Sequence, residues 1–226
     1  MTKDINLSQT LREVRAYTEK NAELKKSHHF LFNLPLETNT QNADVIVIGL
    51  NPGEHDSDWH LHDRPTEETD EFDFHNEFGN GRSSLQWSKN CINFLPNQNI
   101  YLSEFFFWSS NSTRKKGFDD RFGYSFKDCP HLDFCMRCNL DMISSHKPKL
   151  IVATGLTYAQ FFSSKYNLTH IKTVNRHTDK NKRRIIIHYE LEGVPFIFTT
   201  HWTGAFGVSN SMKDEIKSYL GKFIQT

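Results

Sequence analysis

The stretch DVIVIGLNPG, residues 44–53, decides the fold of this chain. Residues 44–49 form a short, continuous run of β-branched side chains that ends in glycine, which is typical of a strand buried in a parallel sheet. Two glycines and a proline then favour a tight turn and allow a ligand to approach the backbone closely. We therefore expect the amide of Asn51 to project from the carboxyl end of a buried strand.

Outward from this strand, strand patterns alternate with helix patterns, which predicts an α/β fold: a three-layer α/β/α sandwich with a central, mostly parallel sheet. The other predicted strands are 99–108, 150–153, 183–190 and 194–199, with a turn at 191–193. The predicted helices are 8–26, 83–95, 129–146, 157–165 and 211–224, and the predicted polar loops are 54–82 and 109–128. Ligands bind such sheets at the carboxyl ends of the strands, which directs attention to the segments after Gly49, Trp108 and Thr199.

The composition predicts one globular domain over residues 1–226, with residues 1–28 as an N-terminal helical extension. A chain of 226 residues suffices for one domain with a full core. Its 27 basic and 27 acidic residues cancel, so net charge neither requires nor excludes a nucleic-acid partner. No apolar leader or run of 18 apolar residues is present, so we expect a cytoplasmic monomer without a membrane partner.

Three segments resemble motifs of the uracil-DNA glycosylase superfamily. Residues 49–53 resemble its first motif, closest to the branches in which that motif runs Gly-x-Asn-Pro-Gly. Residues 148–155 look like the family's segment of proline, lysine, apolar strand and glycine. Residues 200–205 stand where the family has His-Pro-Ser or Asn-Pro-Ser: His201 matches the histidine, whereas Trp202 replaces proline and Thr203 replaces serine.

This resemblance implies a uracil-DNA glycosylase-like fold and an enzyme that hydrolyses the N-glycosidic bond of a damaged or modified pyrimidine in DNA. By resemblance, Asn51 would orient the attacking water, and His201 would donate a hydrogen bond to the base oxygen as charge develops there. The base would first be extruded from the DNA into the pocket. The residues expected at the base are Gly49, Leu50, Pro52, Gly53, Glu104, Phe74 and Phe78, with Phe72 as another candidate for the stacking ring. Those expected at the DNA are Trp202, Thr203, Phe206, Arg114, Lys115 and Lys116, with Trp202 or Phe206 as a wedge.

Glu104 bears on the choice of substrate. Many family members have an asparagine in the matching strand, where it reads the pairing edge of uracil, and the alignment puts Glu104 at or beside that position. An ionised carboxylate accepts hydrogen bonds but cannot donate them. It would suit the exocyclic amine of a modified cytosine better than the O4 of uracil, so of the two expected substrates, uracil and a modified cytosine, this reasoning favours the cytosine. Alternatively, Glu104 is an ordinary charged residue on the solvent face of its strand.

The cysteines are a weak candidate for a metal site. Cys129, His131, Cys135 and Cys138 are close in sequence, and the last three share one face of the predicted helix. Zinc or an iron–sulfur cluster would suit such ligands. The alternative is that the thiols pack as small hydrophobic groups, and we favour it, so no cofactor is expected.

Two other functions are compatible with the sequence. The acidic and histidine-rich residues 54–63 could hold a divalent ion in a metal-dependent hydrolase. Alternatively, the chain could be a non-catalytic member of the fold that binds nucleic acid. Near the C-terminus a basic cluster could track phosphates or simply be a solvated hairpin. It consists of Lys172, Arg176, Lys180, Lys182, Arg183 and Arg184, with His170 and His177.

Overall fold

The protein is described here from a computed structural model, which covers residues 7–27, 42–51, 90–110, 115–177, 182–202 and 208–224. Its strands are β1 Val45–Gly49, β2 Ile100–Glu104, β3 Leu150–Thr154, β4 Thr169–His177, β5 Lys182–Leu191 and β6 Val194–Thr199. Its helices are α1 Leu7–Lys20, α2 Lys115–Phe122, α3 His131–His146, α4 Ala159–Lys165 and α5 Asn210–Ile224. Residues 90–94 are also helical, and Leu24–Lys26 and Phe126–Asp128 form short 3-10 turns.

The six strands form one mixed sheet in the order β2-β1-β3-β6-β5-β4. Strand β1 pairs in parallel with β2 and β3, and β3 pairs in parallel with β6. Strand β5 runs antiparallel to both β6 and β4. The α/β class and the mostly parallel sheet are thus confirmed. The chain goes from β1 to β2 on one side and returns to β3 on the other, so the strand order switches between β1 and β3.

The central strands of the sheet contribute side chains to two cores, one on each face of the sheet. Ile46 and Ile48 face the main core, whereas Val45 and Val47 face a second core on the opposite side. Helices α1, α3 and α4 contribute to the main core, and α5 contributes Ile216 and Leu220 to the second. All five residues of β1 are buried, as the continuous apolar run predicted.

The segment predicted as a polar loop at 109–128 was wrong in part, because it contains α2 and the turn Phe126–Asp128. Phe118, Phe122 and Phe126 are buried at intervals of four residues, and their rings contact Phe106 in the main core. Phe118 and Phe122 share one face of α2, and Phe126 follows in the 3-10 turn. The aspartates, arginine and glycine between them hid these buried rings from the sequence pattern.

Strand β4 was missed by the sequence analysis, and it completes the sheet as an edge strand. Residues 170–173 of β4 are exposed and mostly polar, and register shifts interrupt its pairing with β5. An edge strand that buries little apolar surface lacks the alternation by which strands are recognised. The turn expected between β5 and β6 is confirmed: Glu192 and Gly193 both have positive φ, as a two-residue hairpin turn requires.

The N-terminal helix packs into the main core. It ends at Lys20, earlier than predicted, and the turn Leu24–Lys26 follows. Tyr17 stacks on Phe134 of α3 with ring centroids 3.8 Å apart, and the indole N–H of Trp108 donates to Thr18 Oγ1 at 2.9 Å. The helix therefore shares its packing with α3 and with the segment after β2.

Within the described part of the chain, no helix combines the length and the apolar character that a membrane crossing requires.

Replacing Phe118 by alanine should destabilise the protein by about 3–5 kcal/mol, since a fully buried ring is removed and a cavity remains. Asp120→Ala in the same helix is the matched control; its side chain is exposed, so we expect a change within about 0.5 kcal/mol. Denaturant unfolding of the two variants measures both. Equal small effects would mean that α2 does not pack against the core.

Candidate functional site

The carboxyl ends of the four parallel strands meet at one edge of the sheet, which we call the carboxyl edge. Its last strand residues are Glu104, Gly49, Thr154 and Thr199, from β2, β1, β3 and β6. Gly49 pairs with Glu104, and Thr154 pairs with Thr199. Because Ile48 pairs with Ala153, Gly49 is also level with Thr154. The four residues therefore form a lateral row across the sheet.

The two expected catalytic residues lie just beyond this row. Asn51 is two residues past the end of β1, and His201 is two residues past the end of β6. Strand β3 lies between β1 and β6, so two strand spacings, roughly 10 Å, separate the two backbones. Side chains at this separation can approach one small ligand from both sides, above the point where the strand order switches.

The amide of Asn51 is oriented by the segment that follows β2. Its Nδ2 donates to Ser110 Oγ at 2.9 Å, and the main-chain oxygen of Ser110 lies 3.5 Å from the same nitrogen. Backbone hydrogen bonds from Phe105 to Gly49 and from Phe106 to Leu50 continue the pairing of β1 and β2 up to this point. Leu50 and Asn51 are thus held against the segment that follows β2.

His201 is half-buried, and burial lowers the pKa of its imidazole below the ordinary value. Burial acts in this direction because the protonated ring loses more hydration than the neutral ring. At neutral pH the neutral form is therefore favoured. A neutral imidazole has one N–H that can donate to an oxygen on which negative charge develops, and its other nitrogen accepts.

Glu104 is buried, with 4% of its surface exposed, and its carboxyl group lies directly over Gly49. A Cβ atom built on Gly49 would be only 2.0 Å from Glu104 Oε2, so the glycine makes the room that the carboxyl occupies. Burial raises the pKa of Glu104 well above its usual range. Burial therefore favours the neutral carboxylic acid, which has one O–H donor and one carbonyl acceptor.

Several buried polar atoms near the carboxyl edge lack a hydrogen-bond partner among the described residues. They are Glu104 Oε2, Thr154 Oγ1, Thr199 Oγ1 and Trp202 Nε1. Side chains alternate along a strand, and the residues two positions before the first three, Leu102, Val152 and Ile197, belong to the second core. All three side chains therefore point to the same face of the sheet. Buried polar atoms are normally paired, so this polar row has the character of a binding surface.

A hydrogen-bond network that the sequence analysis missed holds the end of β2 on the opposite face. Ser103 Oγ donates to Asn139 Oδ1 at 2.6 Å, and Asn139 Nδ2 donates to the main-chain oxygen of Glu104 at 2.9 Å. The same nitrogen lies 3.3 Å from the hydroxyl of Tyr166. Asn139 is thus a positioning residue for Glu104. The sequence carried no signal for it, because an asparagine within a helix pattern does not reveal its contact.

Trp202 does not fit the expected role of a wedge in DNA. Its side chain is 2% exposed and stacks on Phe94 with ring centroids 4.6 Å apart, within the second core. A ring in this position packs the protein and is not available for insertion between bases, so we remove Trp202 from the expected DNA contacts. Leu50, expected at the base, is half-buried and packs against the main core.

Other expected site residues lie outside the described residues. They are Pro52, Gly53, Phe72, Phe74, Phe78, Arg114, Thr203, Phe206 and the acidic segment 54–63. Lys115 and Lys116 begin α2, but their side chains also lie outside the described part of the chain. Their proposed roles stay predictions.

The cysteines expected as weak metal candidates are buried free thiols. Burial raises the pKa of Cys129 to about 11 and that of Cys138 to about 12, which favours the neutral thiol over the thiolate that binds metals. His131 instead contacts Glu23 at 3.0 Å and the hydroxyl of Tyr17 at 3.1 Å. Among the described residues, no three histidine, cysteine or acidic side chains are grouped so that they could hold a metal ion.

No protein-family model matches the sequence, and no curated protein matches it either.

The stability of the Glu104→Gln variant relative to the wild type should increase as the pH rises, because only the wild type loses stability on the way. The folded protein holds the Glu104 proton at pH values where the unfolded chain has released it, so wild-type stability falls between the ordinary pKa and the raised pKa. One proton corresponds to a slope of up to about 1.4 kcal/mol per pH unit. Urea unfolding across this pH range measures the difference, and parallel profiles of the two proteins would refute it.

Gly49→Ala should destabilise the wild type by about 1–3 kcal/mol, because the new methyl group meets the buried carboxyl of Glu104. In a Glu104→Ala background the same substitution should cost much less, since the space is then open. A double-mutant cycle by denaturant unfolding measures this coupling. Additive effects would show that the carboxyl does not occupy the position over Gly49.

Proposed function

We propose that this chain is a DNA N-glycosylase of the uracil-DNA glycosylase type, which hydrolyses the bond between a damaged or modified pyrimidine and its deoxyribose. One observation carries the proposal. Asn51 and His201, placed by two separate motifs, leave the carboxyl ends of parallel strands on either side of β3, at the switch in strand order. The buried carboxyl of Glu104 lies at the same edge.

Hydrolysis of the N-glycosidic bond has two requirements that the protein must meet. A water must be held near C1′ of the sugar while the bond to the base breaks, and the electron pair of that bond leaves with the base. Asn51, held by Ser110, supplies a fixed amide that can orient the water, although an amide does not act as a strong base. His201, neutral through burial, supplies an N–H for the oxygen of the departing base.

Glu104 supports recognition of a pyrimidine edge. A neutral carboxylic acid offers a donor and an acceptor side by side. Uracil presents N3–H beside O4, and cytosine presents N3 beside its N4 amine, so either edge pairs with the acid if its proton sits on the matching oxygen. The expected preference for modified cytosine rested on an ionised carboxylate. Burial raises the pKa of Glu104 and so favours the neutral acid, with which either base can pair, and the proposed substrates are uracil and modified cytosine alike.

A second candidate is a non-catalytic protein that binds a nucleic acid or nucleotide at the same edge. The amide of Asn51 is a weaker base than a carboxylate, and burial disfavours the ionised form of Glu104, which is the form that could accept a proton from water. Both facts weaken water activation while leaving binding intact. The metal-dependent hydrolase, in contrast, depends on residues 54–63, which lie outside the described residues.

Excision of a test base from labelled oligonucleotides, followed by alkaline cleavage of abasic sites, tests the proposal. The panel carries uracil, thymine mispairs, hypoxanthine, xanthine and 5-substituted cytosines in single and double strands. Asn51→Ala and His201→Ala should each lower the rate about 100-fold or more, since each removes a group that acts on the reacting atoms.

The matched controls are Asn99→Ala and His170→Ala, which change the same residue types at the opposite edge of the sheet and should retain the wild-type rate. DNA binding without excision of any base would favour the non-catalytic candidate. Neither excision nor binding, together with a chelator-sensitive hydrolytic activity, would favour the metal-dependent one.

The variants Glu104→Gln and Glu104→Ala test whether Glu104 recognises the base as a neutral acid or as an ionised carboxylate. Glutamine keeps a donor beside an acceptor, so its excision rate should stay within a few-fold of wild type, whereas alanine should lower the rate roughly 5–150-fold, equivalent to about 1–3 kcal/mol for one bidentate base contact. The wild-type rate should also fall as the pH rises through the raised pKa of Glu104, and that of the glutamine variant should not. Equal losses in both variants would indicate that an ionised carboxylate is needed.

A further inference from the structure

Residues 105–110, which we call the β2 extension, follow β2 and are buried along their whole length. The first four are aromatic and the last two are polar: Ser109 is 0% exposed and Ser110 is 3% exposed. Ser110 accepts the hydrogen bond from Asn51 Nδ2. The position of the β2 extension therefore sets the position of the Asn51 amide at the carboxyl edge.

The N-terminal segment contacts the β2 extension through a pair of buried serines. Ser27 is 3% exposed; its Oγ donates to the main-chain oxygen of Ser109 at 3.2 Å, and the two hydroxyl oxygens are 2.8 Å apart. A serine has one O–H, so the proton between the two hydroxyls comes from Ser109. Ser27 is itself held, because its backbone N–H donates to the main-chain oxygen of the core residue Leu24 at 3.0 Å. The two serines thus form a reciprocal hydrogen-bonded pair.

Two further contacts hold the β2 extension next to this pair. The indole N–H of Trp108 donates to Thr18 Oγ1 of α1, and Arg121 Nη1 of α2 lies 3.5 Å from the main-chain oxygen of Ser109. The contacts from α1, from the serine pair and from α2 therefore converge on the two residues just before Ser110.

Packing alone does not account for the serine pair. The four aromatic residues of the β2 extension already anchor it in the main core, and a buried pair of hydroxyls can be replaced by apolar groups of the same shape at little cost in stability. Hydrogen bonds differ from apolar contacts because they are directional, so a satisfied buried network selects one arrangement of the backbone. The arrangement selected here is the one in which Ser110 meets the amide of Asn51.

We infer that Ser27 and Ser109 are positioning residues for Asn51, so that the N-terminal segment contributes to the candidate site. A change at Ser109 reaches Ser110 through one peptide unit, and it reaches Asn51 through the 2.9 Å hydrogen bond. An amide that orients a water must be held closely, since a displacement of about 1 Å can lower a rate about 100-fold. The inference rests on the proposed function for the role of Asn51 in excision.

The variant Ser27→Ala in the full-length chain tests the inference, because it removes the hydroxyl pair and leaves Asn51 and Ser110 in place. With protein in large excess over an oligonucleotide that carries the excised base, the single-turnover rate should fall roughly 10-fold, because the amide is displaced and not removed. The Kd for the same oligonucleotide should stay close to the wild-type value.

An NMR measurement reports on the amide itself. The side-chain amide signal of Asn51, identified by its loss in Asn51→Ala, should shift in Ser27→Ala, and its protons should exchange faster with water. Ser109→Ala removes the same hydroxyl pair from the other side and should have the same effects, so the test does not depend on the folding of one variant.

The matched control is Ser163→Ala. Ser163 is 8% exposed, and its hydroxyl donates to the main-chain oxygen of Gln160 within α4 at 2.9 Å. The control should retain both the wild-type rate and the wild-type signal of Asn51. A double-mutant cycle adds a second criterion: in an Asn51→Ala background, Ser27→Ala should cause little further loss of rate, because the residue through which it acts is absent. An equal loss in both backgrounds would overturn the inference.

The amide signal separates the inference from the proposed function. If the wild type excises no base, yet the Asn51 signal changes in Ser27→Ala and not in Ser163→Ala, the positioning of Asn51 by the serine pair stands and the glycosylase proposal falls. If excision occurs and depends on Asn51, but Ser27→Ala keeps the wild-type rate and signal, the glycosylase proposal stands and the inference falls.

Discussion

The parallel pairing of β1 with both β2 and β3 is the constraint on which the rest of the structure depends. All five residues of β1 are buried, and the strand sits between two neighbours that run in the same direction. Parallel strands end at the same edge of a sheet, so every residue that follows them emerges there. This pairing is what turns the polar residues of distant segments into neighbours at one carboxyl edge.

The carboxyl edge places polar side chains next to an apolar interior, and their burial changes their protonation. Glu104 is held by its backbone on one face, through Asn139, and buries its carboxyl on the other face over Gly49. Burial shifts the two titratable groups of the edge in opposite directions: it raises the pKa of Glu104 and lowers that of His201. Both groups are therefore favoured in their neutral forms, which suits a surface that donates and accepts hydrogen bonds without bringing in a fixed charge.

Charged side chains are found instead on the β4–β5 hairpin, which extends the sheet beyond β6. The chain as a whole is neutral, with 27 basic and 27 acidic residues, but the hairpin separates its charges by placing arginines at the carboxyl edge and glutamates at the other end.

The sequence by itself determined the α/β class, the position of β1 and the two residues that follow parallel strands. It did so because continuous β-branched runs and strand-terminating glycines are local patterns, which need no knowledge of neighbours. The same local reasoning missed β4, whose side chains are exposed, and α2, whose buried phenylalanines are separated by polar residues. Only the tertiary structure decided that Trp202 packs in the core and that Glu104 is buried over Gly49. Burial and cross-strand register are set by residues far away in the chain, so the environment of a side chain, and with it its charge and its availability to a ligand, follows from the packed sheet.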